Sequence, residues 1–515
     1  MNKFTPVKHL TVPLLILSAL AITFQSCKKK RNETATFFYK NTHNKVYYKY
    51  KPEEFSDVFK SVLDSEKSDL KYADIISDFY AKNDYQPELV IHHFFNNDLA
   101  KTEDYFQRAE EHGLNPAMFQ ADTLRALLTR FSDKKKIINI NDAYHEIAKL
   151  EITAANSLIG YSNALEYGVI NPKKIYQRYF LATKLPDTAS MVRVFHIRNM
   201  QTYLDSIQPK SPQYLALQKA LSQNYISKGR SGEESRRMLL VNLERLRWRN
   251  KPYEDKYVIV NIPDFMLHVI DSGRSVLQMK VCVGQGRNMD NANTLANYND
   301  SCKIDKPNQH ETPLLNSMIH SVDVNPIWNI PRSIANNEIL AEAAKDRFYL
   351  ANKGISVYKD GKRIEDPEDI DWSNITKENL PYEFKQMPGD DNSLGKIKFL
   401  FPNKSSVYLH DTPVKSAFTW KMRAVSHGCV RLGDPQGLAL SLFGKGPKYD
   451  EIAKDMGEDN PNPTSIYLPK KVPVYLTYVT CWADENGQLQ FRNDVYGQDI
   501  VLYAHLLKLI HPELN

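Results

Sequence analysis

Ser426-His427-Gly428-Cys429-Val430-Arg431, with His410 upstream, holds the residues most able to do chemistry. A cysteine between a glycine and a β-branched residue predicts a tight turn entering a strand. The thiolate form of Cys429 could attack a carbonyl, provided another group takes its proton. An ordinary thiol has a pKa near ~8.5, so only a few per cent is thiolate at neutral pH. His410 ends a strand-like run, Ser406-Val407-Tyr408-Leu409-His410, and two strand ends can bring such a pair together. Either the pair rests as thiolate and imidazolium, or the proton moves during attack. His427, two residues from Cys429, is the second candidate base. On a strand, Arg431 shares a face with Cys429, and its guanidinium suits a substrate carboxylate. The competing role for Arg431 is a structural ion pair with Asp411 or Asp434. Trp328, Tyr408 and Trp420 could wall a cleft, or simply fill a core. A zinc site built on His410, His427 and Cys429 lacks a fourth ligand at a suitable spacing, and no GxSxG serine elbow occurs. No metal is expected.

The run His410-Asp411-Thr412-Pro413, followed by Ser426-His427-Gly428-Cys429-Val430-Arg431, resembles the signature of the L,D-transpeptidases with a YkuD-type catalytic domain. Val324 to Pro331, Asp371-Trp372-Ser373, Gly389 to Gly395 and Tyr257 to Val283 resemble the large, periplasmic YcbB-like branch. The likeness runs from about Glu33 to the C-terminus. It implies an enzyme, a cysteine-dependent acyltransferase acting on peptidoglycan stem peptides. Cys429 would attack the amide between a diamino acid and a terminal D-Ala. His410 would protonate the leaving D-Ala, and a side-chain amine of a neighbouring stem would resolve the thioester into a 3→3 cross-link. His410 rather than His427 is implied as the base, because relatives can carry Ser at the latter position. The backbone amides of His427, Gly428 and Cys429 would form the oxyanion hole. Arg431, Ser426, Trp328 and Tyr408 are expected to bind substrate. Thioester exchange conserves the energy of the cleaved amide, so no cofactor is implied, and carbapenems would acylate Cys429 by the same route. The alternatives are an L,D-carboxypeptidase using the same site with water as acceptor, or a non-catalytic wall-binding lipoprotein. Two departures from the family stand out. Gly433 and Asp434 fill the place where an Asn often follows the arginine. Only Asn224 to Glu234 is available where many relatives insert a peptidoglycan-binding module, too short for a domain.

The 515 residues suggest about three domains. A net charge of +6 would suit an anionic wall polymer or serve solubility. No Arg/Lys patch interleaved with aromatics points to nucleic acid. Residues 1–27 read as an export signal: Lys3 and Lys8, then an apolar run from Leu10 to Phe24, short for a membrane span. Phe24-Gln25-Ser26-Cys27 resembles a lipoprotein box with Phe in place of the usual Leu. Cys27 is therefore expected to be lipidated, anchoring the protein to a membrane in the periplasm. Lys28 to Arg31 would then lie at the lipid surface. Ordinary signal cleavage or an uncleaved anchor is the alternative. Outside the cytoplasm a Cys282–Cys302 disulfide is permitted, and Cys481 reads as a buried small hydrophobe.

The fold class expected is α+β and multidomain. A mostly helical scaffold domain should cover 33–227. A connector helix should follow over 228–255, with Ser231 as its cap. A mostly β, YkuD-like catalytic domain should cover 256–482, interrupted at about 326–400 by a helical and loop capping subdomain, and a C-terminal extension should run over 483–515. Apolar residues every three or four positions from Ile147 to Leu165, with Gly168 beyond, predict a helix and its C-cap. From Tyr257 the period becomes two, predicting a β-meander through Val283. Residues 334–347 and 376–380 read as helical, Asn288 to His310 as a long loop. The loop from Gly389 to Gly395, with two glycines and few large apolar residues, is expected to be poorly packed.

Overall fold

The computed structural model describes residues 32–511 apart from 134, 251–253, 287–304, 306 and 459–461. The expected signal segment, Cys27 and Cys302 lie outside the described residues.

The N-terminal region is helical and is organised around one long helix, α1 (Ile140–Tyr167). From Leu150 to Leu165 almost every residue is buried, whichever face it occupies, so helices pack around that stretch on all sides. Asn139 accepts the Asp142 amide at 3.0 Å to cap its start, and Gly168 ends it at φ +80°. The carboxylate of Glu151, buried in mid-helix, is satisfied by Tyr80 Oη and by the backbone amides of Glu88, Leu89 and Val90.

Helix α2 (Gly232–Arg247) is the connector. Ser231 accepts the Glu234 amide at 3.0 Å, with Glu233 and Glu234 in the first turn as the sequence implies. Its C-terminal half fastens both neighbours through buried charges. On the scaffold side Glu244 accepts the amides of Val169 and Ile170, both at 2.8 Å, and pairs with Arg247. Arg247 in turn donates to the His112 carbonyl and to Tyr214 Oη. On the catalytic side Arg245 pairs with Asp499 in the C-terminal helix Gln498–Ile510.

The C-terminal region is built on a ten-stranded sheet. Its strands are β1 (Tyr179–Phe180), β2 (Lys256–Asn261), β3 (Met266–Asp271), β4 (Arg274–Gly284), β5 (Leu314–Val324), β6 (Ile397–Leu400), β7 (Leu409–His410), β8 (Ala424–Ser426), β9 (Val430–Leu432) and β10 (Thr464–Thr477). Strands β2 to β4 form the expected antiparallel meander, with Val258, Val260, Leu267 and Val269 alternating into the core. The order is β1-β5-β6-β7-β9-β4-β3-β2-β10, and β10 also pairs with β5, so the sheet closes on itself. Strand β1 comes from the scaffold side and runs parallel to β5, which ties the two regions through backbone hydrogen bonds.

Between β5 and β6 the chain forms a separate four-stranded antiparallel sheet. Its order is Lys362–Ile364, Ile355–Lys359, Glu383–Gln386, Trp328–Asn329. Short helical segments cover it, with a core of Ile330, Ile334, Leu340, Val357, Trp372 and Phe384. Three local expectations need correction. Residues 376–380 form bends, not a helix. The strand ending at His410 covers only its last two residues, because Ser406 sits at φ +52° and Asn403 caps the preceding turn through the Ser405 and Val407 amides. The loop from Gly389 to Gly395 is tightly held. Buried Asn392 donates to the carbonyls of Pro326, Gln386 and Met387, while Gln386 receives the Ser393 amide.

Candidate active site

Parallel pairing of β7 with β9 sets Leu409 opposite Val430 and His410 opposite Arg431. The Val430 amide donates to the Tyr408 carbonyl at 3.1 Å, and this bond fixes the register just beyond Cys429. Cys429 is half-buried and His410 is buried, and both line one cleft of about 350 Å³. Trp328, Tyr408, Ser426, His427 and Arg431 line it too. Trp420 does not. Its side chain stands exposed outside the cleft, so it is no wall of the site.

The turn before Cys429 depends on its glycine. Gly428 adopts φ +112°, a region that side-chain-bearing residues rarely enter. Ser426 Oγ braces the turn by donating to the Cys429 carbonyl at 2.5 Å and accepting the Gly428 amide at 3.2 Å. Thr312 adds a second brace, donating to the Gly428 carbonyl and accepting the Gly284 amide, both at 2.8 Å. The Gly428 amide is thus engaged, whereas the His427 and Cys429 amides make no hydrogen bond among the described residues.

His410 Nδ1 donates to the carbonyl of Asp411, which selects the tautomer with Nε2 as acceptor. Asp411 is itself fixed: its carboxylate accepts the Lys396 amide at 2.9 Å and pairs with Lys415. Gly395, at φ +62°, leaves room for that carboxylate, since a Cβ there would sit 2.4 Å from it.

Electrostatics keep both reactive groups neutral. Burial pushes the Cys429 thiol up to about 11, against smaller downward pulls from the Tyr408 backbone and Arg431. Burial, reinforced by Arg431, pushes the His410 imidazole down to about 4. Of the two resting states open from sequence, these opposite shifts favour the uncharged thiol and imidazole. Tyr408, with Cys429 adjacent, is held above its ordinary range by burial, against a smaller downward pull from the Trp328 side chain.

Arg431 does not make the ion pair that sequence left open. Asp411 is taken by Lys415, and Asp434 caps the next helix through the Gly437 amide. Among the described residues no carboxylate lies within 4 Å of Arg431, and its Nε is buried without a hydrogen-bond partner. Cys282, opposite Arg431 on β4, is buried, as is Cys481, and neither has a disulfide partner among the described residues. Among the described residues no cluster of His, Cys, Asp and Glu could hold a metal ion.

Three cleft residues were not legible from the motif. Arg178 arrives from the scaffold side and donates to the Gln309 carbonyl at 2.6 Å. His310 lies against His427, ring centroids 4.5 Å apart. Glu338 reaches down from the capping layer to His427 Nε2.

Residues 255–443 match the L,D-transpeptidase catalytic domain, YkuD, and residues 74–221 match the Scaffold domain. Along the chain the region similar to the Scaffold domain precedes the region similar to the YkuD catalytic domain. A Haemophilus influenzae protein named "Putative L,D-transpeptidase" is 33% identical to it over 261 residues, 51% of this chain. That stretch is 48% of the relative, so the chain matches about half of that protein's length.

Proposed function

We propose that this protein is an L,D-transpeptidase that forms 3→3 peptidoglycan cross-links through a Cys429 thioester. The observation that carries the reading is the β7–β9 register, which sets His410 beside Arg431 and brings both into one cleft with Cys429. Cys429 Sγ attacks the amide carbonyl between the diamino acid and D-Ala as its proton passes to His410 Nε2. The free amides of His427 and Cys429 receive the oxyanion, and losing such a donor typically costs ~3 kcal/mol in the transition state. His410 then protonates the departing D-Ala nitrogen, leaving a thioester. The acceptor amine attacks, gives its proton to His410, and Cys429 leaves as the thiol. Arg431, without a carboxylate of its own, binds a stem carboxylate. Trp328 and Tyr408 form the aromatic wall, and Ser426 holds the turn. Since acylation begins from a neutral pair, proton transfer accompanies attack.

The anchor is part of the proposal. Among the described residues no helix is long and apolar enough to cross a membrane. Lipidated Cys27 would hold the protein at the envelope, facing its substrate. Mass analysis after incubation with a tetrapeptide muropeptide tests the reaction. Cross-linked dimer and free D-Ala support it, tripeptide alone points to a carboxypeptidase, and activity retained by Cys429→Ala sinks the mechanism. For the anchor, Cys27→Ser should release soluble protein or block processing. A variant that stays lipid-modified refutes that part.

A further inference from the structure

The cleft carries two fixed positive charges, Arg178 and Arg431. A cleft of this kind attracts the carboxylates of a donor stem, yet it repels an ammonium. Glu338 is the single carboxylate lining it among the described residues. Its carboxylate contacts His427 Nε2, two residues before Cys429, and both side chains stay partly open to solvent, at 46% and 33% exposed. The backbone that presents it is unusual. Arg332–Ile334 and Leu340–Ala343 are α-helical, but Ala335–Ile339 between them forms a π turn, and Glu338 sits on it. Such turns place side chains that a regular helix would direct elsewhere. No apolar packing requires a charge there. Ala335 and Ile339 face the capping core while Glu338 faces the cleft.

We propose that Glu338 is the specificity-determining residue that receives the acceptor amine. This rests on the transpeptidase reading above. The incoming ammonium replaces His427 at the carboxylate and is held over the turn that carries the thioester. The nitrogen sheds two protons on the way to the amide: one leaves to solvent, and the other passes to His410 as the amine attacks the thioester carbonyl; the C–S bond breaks and His410 returns that proton to the Cys429 sulfur. Water and uncharged nucleophiles draw no benefit from Glu338, so the residue favours cross-linking over hydrolysis.

The test uses the full-length protein and compares the parent with Glu338→Gln and Glu338→Asp. A carbapenem probe reads acylation of Cys429. A muropeptide amine and hydroxylamine, which is uncharged at neutral pH, compete with water for the thioester. In Glu338→Gln, kcat/KM for the muropeptide amine should fall roughly 10-fold or more, the scale of one charge-assisted hydrogen bond. Capture by hydroxylamine and acylation by the carbapenem should fall far less, and Glu338→Asp should recover part of the loss. An unchanged ratio of dimer to tripeptide overturns the proposal. So does an equal loss for both nucleophiles, which would make Glu338 a strut of the capping layer. Absence of any Cys429 adduct in the parent protein would overturn the transpeptidase reading, and the amine site with it.

Discussion

Alkylation of Cys429 by iodoacetamide should be slow at neutral pH and should keep rising well into the alkaline range. The thiol is raised from an ordinary 9.0 to about 11, chiefly by burial. At pH 7 that leaves roughly one molecule in 10⁴ as thiolate, about 100-fold below an unshifted thiol. The more basic thiolate is the better nucleophile, and a Brønsted slope of ~0.4–0.5 over two units returns roughly 6- to 10-fold. The net expectation is alkylation about 10- to 15-fold slower than an exposed cysteine at pH 7, by this balance of thiolate fraction against reactivity. The assay is the second-order rate from pH 5 to 12, read by mass of the Cys429 peptide, with buried Cys282 and Cys481 as internal controls. Arg431→Met should move the inflection further up, because Arg431 lowers the thiol in the parent. A rate that levels off below pH 7 would refute the reasoning, since it would mean a preformed thiolate–imidazolium pair. Acylation by substrate should behave differently. It needs His410 unprotonated, and with that imidazole down at about 4 its rate should already be flat by pH 6.

Three further outcomes are expected. His410→Ala should slow carbapenem acylation by roughly 10²-fold or more, while His427→Ala should do less; a reversed order in stopped-flow kinetics would reassign the base. Asn392→Ala should destabilise the protein by ~1–3 kcal/mol in urea titration, because the buried carbonyls of Pro326 and Gln386 and the half-exposed one of Met387 lose their donor. It should also raise tripeptide relative to dimer, and a wild-type value for both would show the loop is held by other means. His410 and His112 should each cost stability on acidification from about pH 6.5 towards 3. Burial and Arg431 hold His410 down at about 4, and burial followed by Arg247 holds His112 at about 3, so in that window these two side chains bind more protons in the unfolded chain than in the folded one. Buried Asp494, raised by burial and Asp499 to about 7, acts in the opposite sense, so the parent alone does not isolate the histidines. Denaturant midpoints at pH 7, 5 and 4 should fall less in acid for His112→Gln than for the parent; an equal change in both would contradict the assignment.

What could be read in the chain was whatever depends on neighbours in sequence. The 3.6-residue period of Ile147 to Leu165 with Gly168 beyond, the capping Ser231 and the two-residue period after Tyr257 all became the elements they imply. Gly428 ahead of Cys429 likewise announced its turn, because φ +112° is a local demand on one residue. Local patterns failed where distant groups compete for the backbone. Asn403 pulls residues 405–407 into a turn and shortens the strand before His410. Asn392 and Gln386 secure a glycine-bearing loop that composition alone marks as loose. The electrostatic state of the site belongs to tertiary structure altogether, since burial moves the Cys429 and His410 pKa values in opposite directions while Arg431 pulls both down. The cleft's charge balance is likewise decided in three dimensions. Arg178, His310 and Glu338 come from the scaffold side, a loop end and the capping layer, and no spacing in the sequence relates them to Cys429. Only the closed sheet, the scaffold strand added beside β5 and the cap folded over β7 and β9 bring those charges to one thiol.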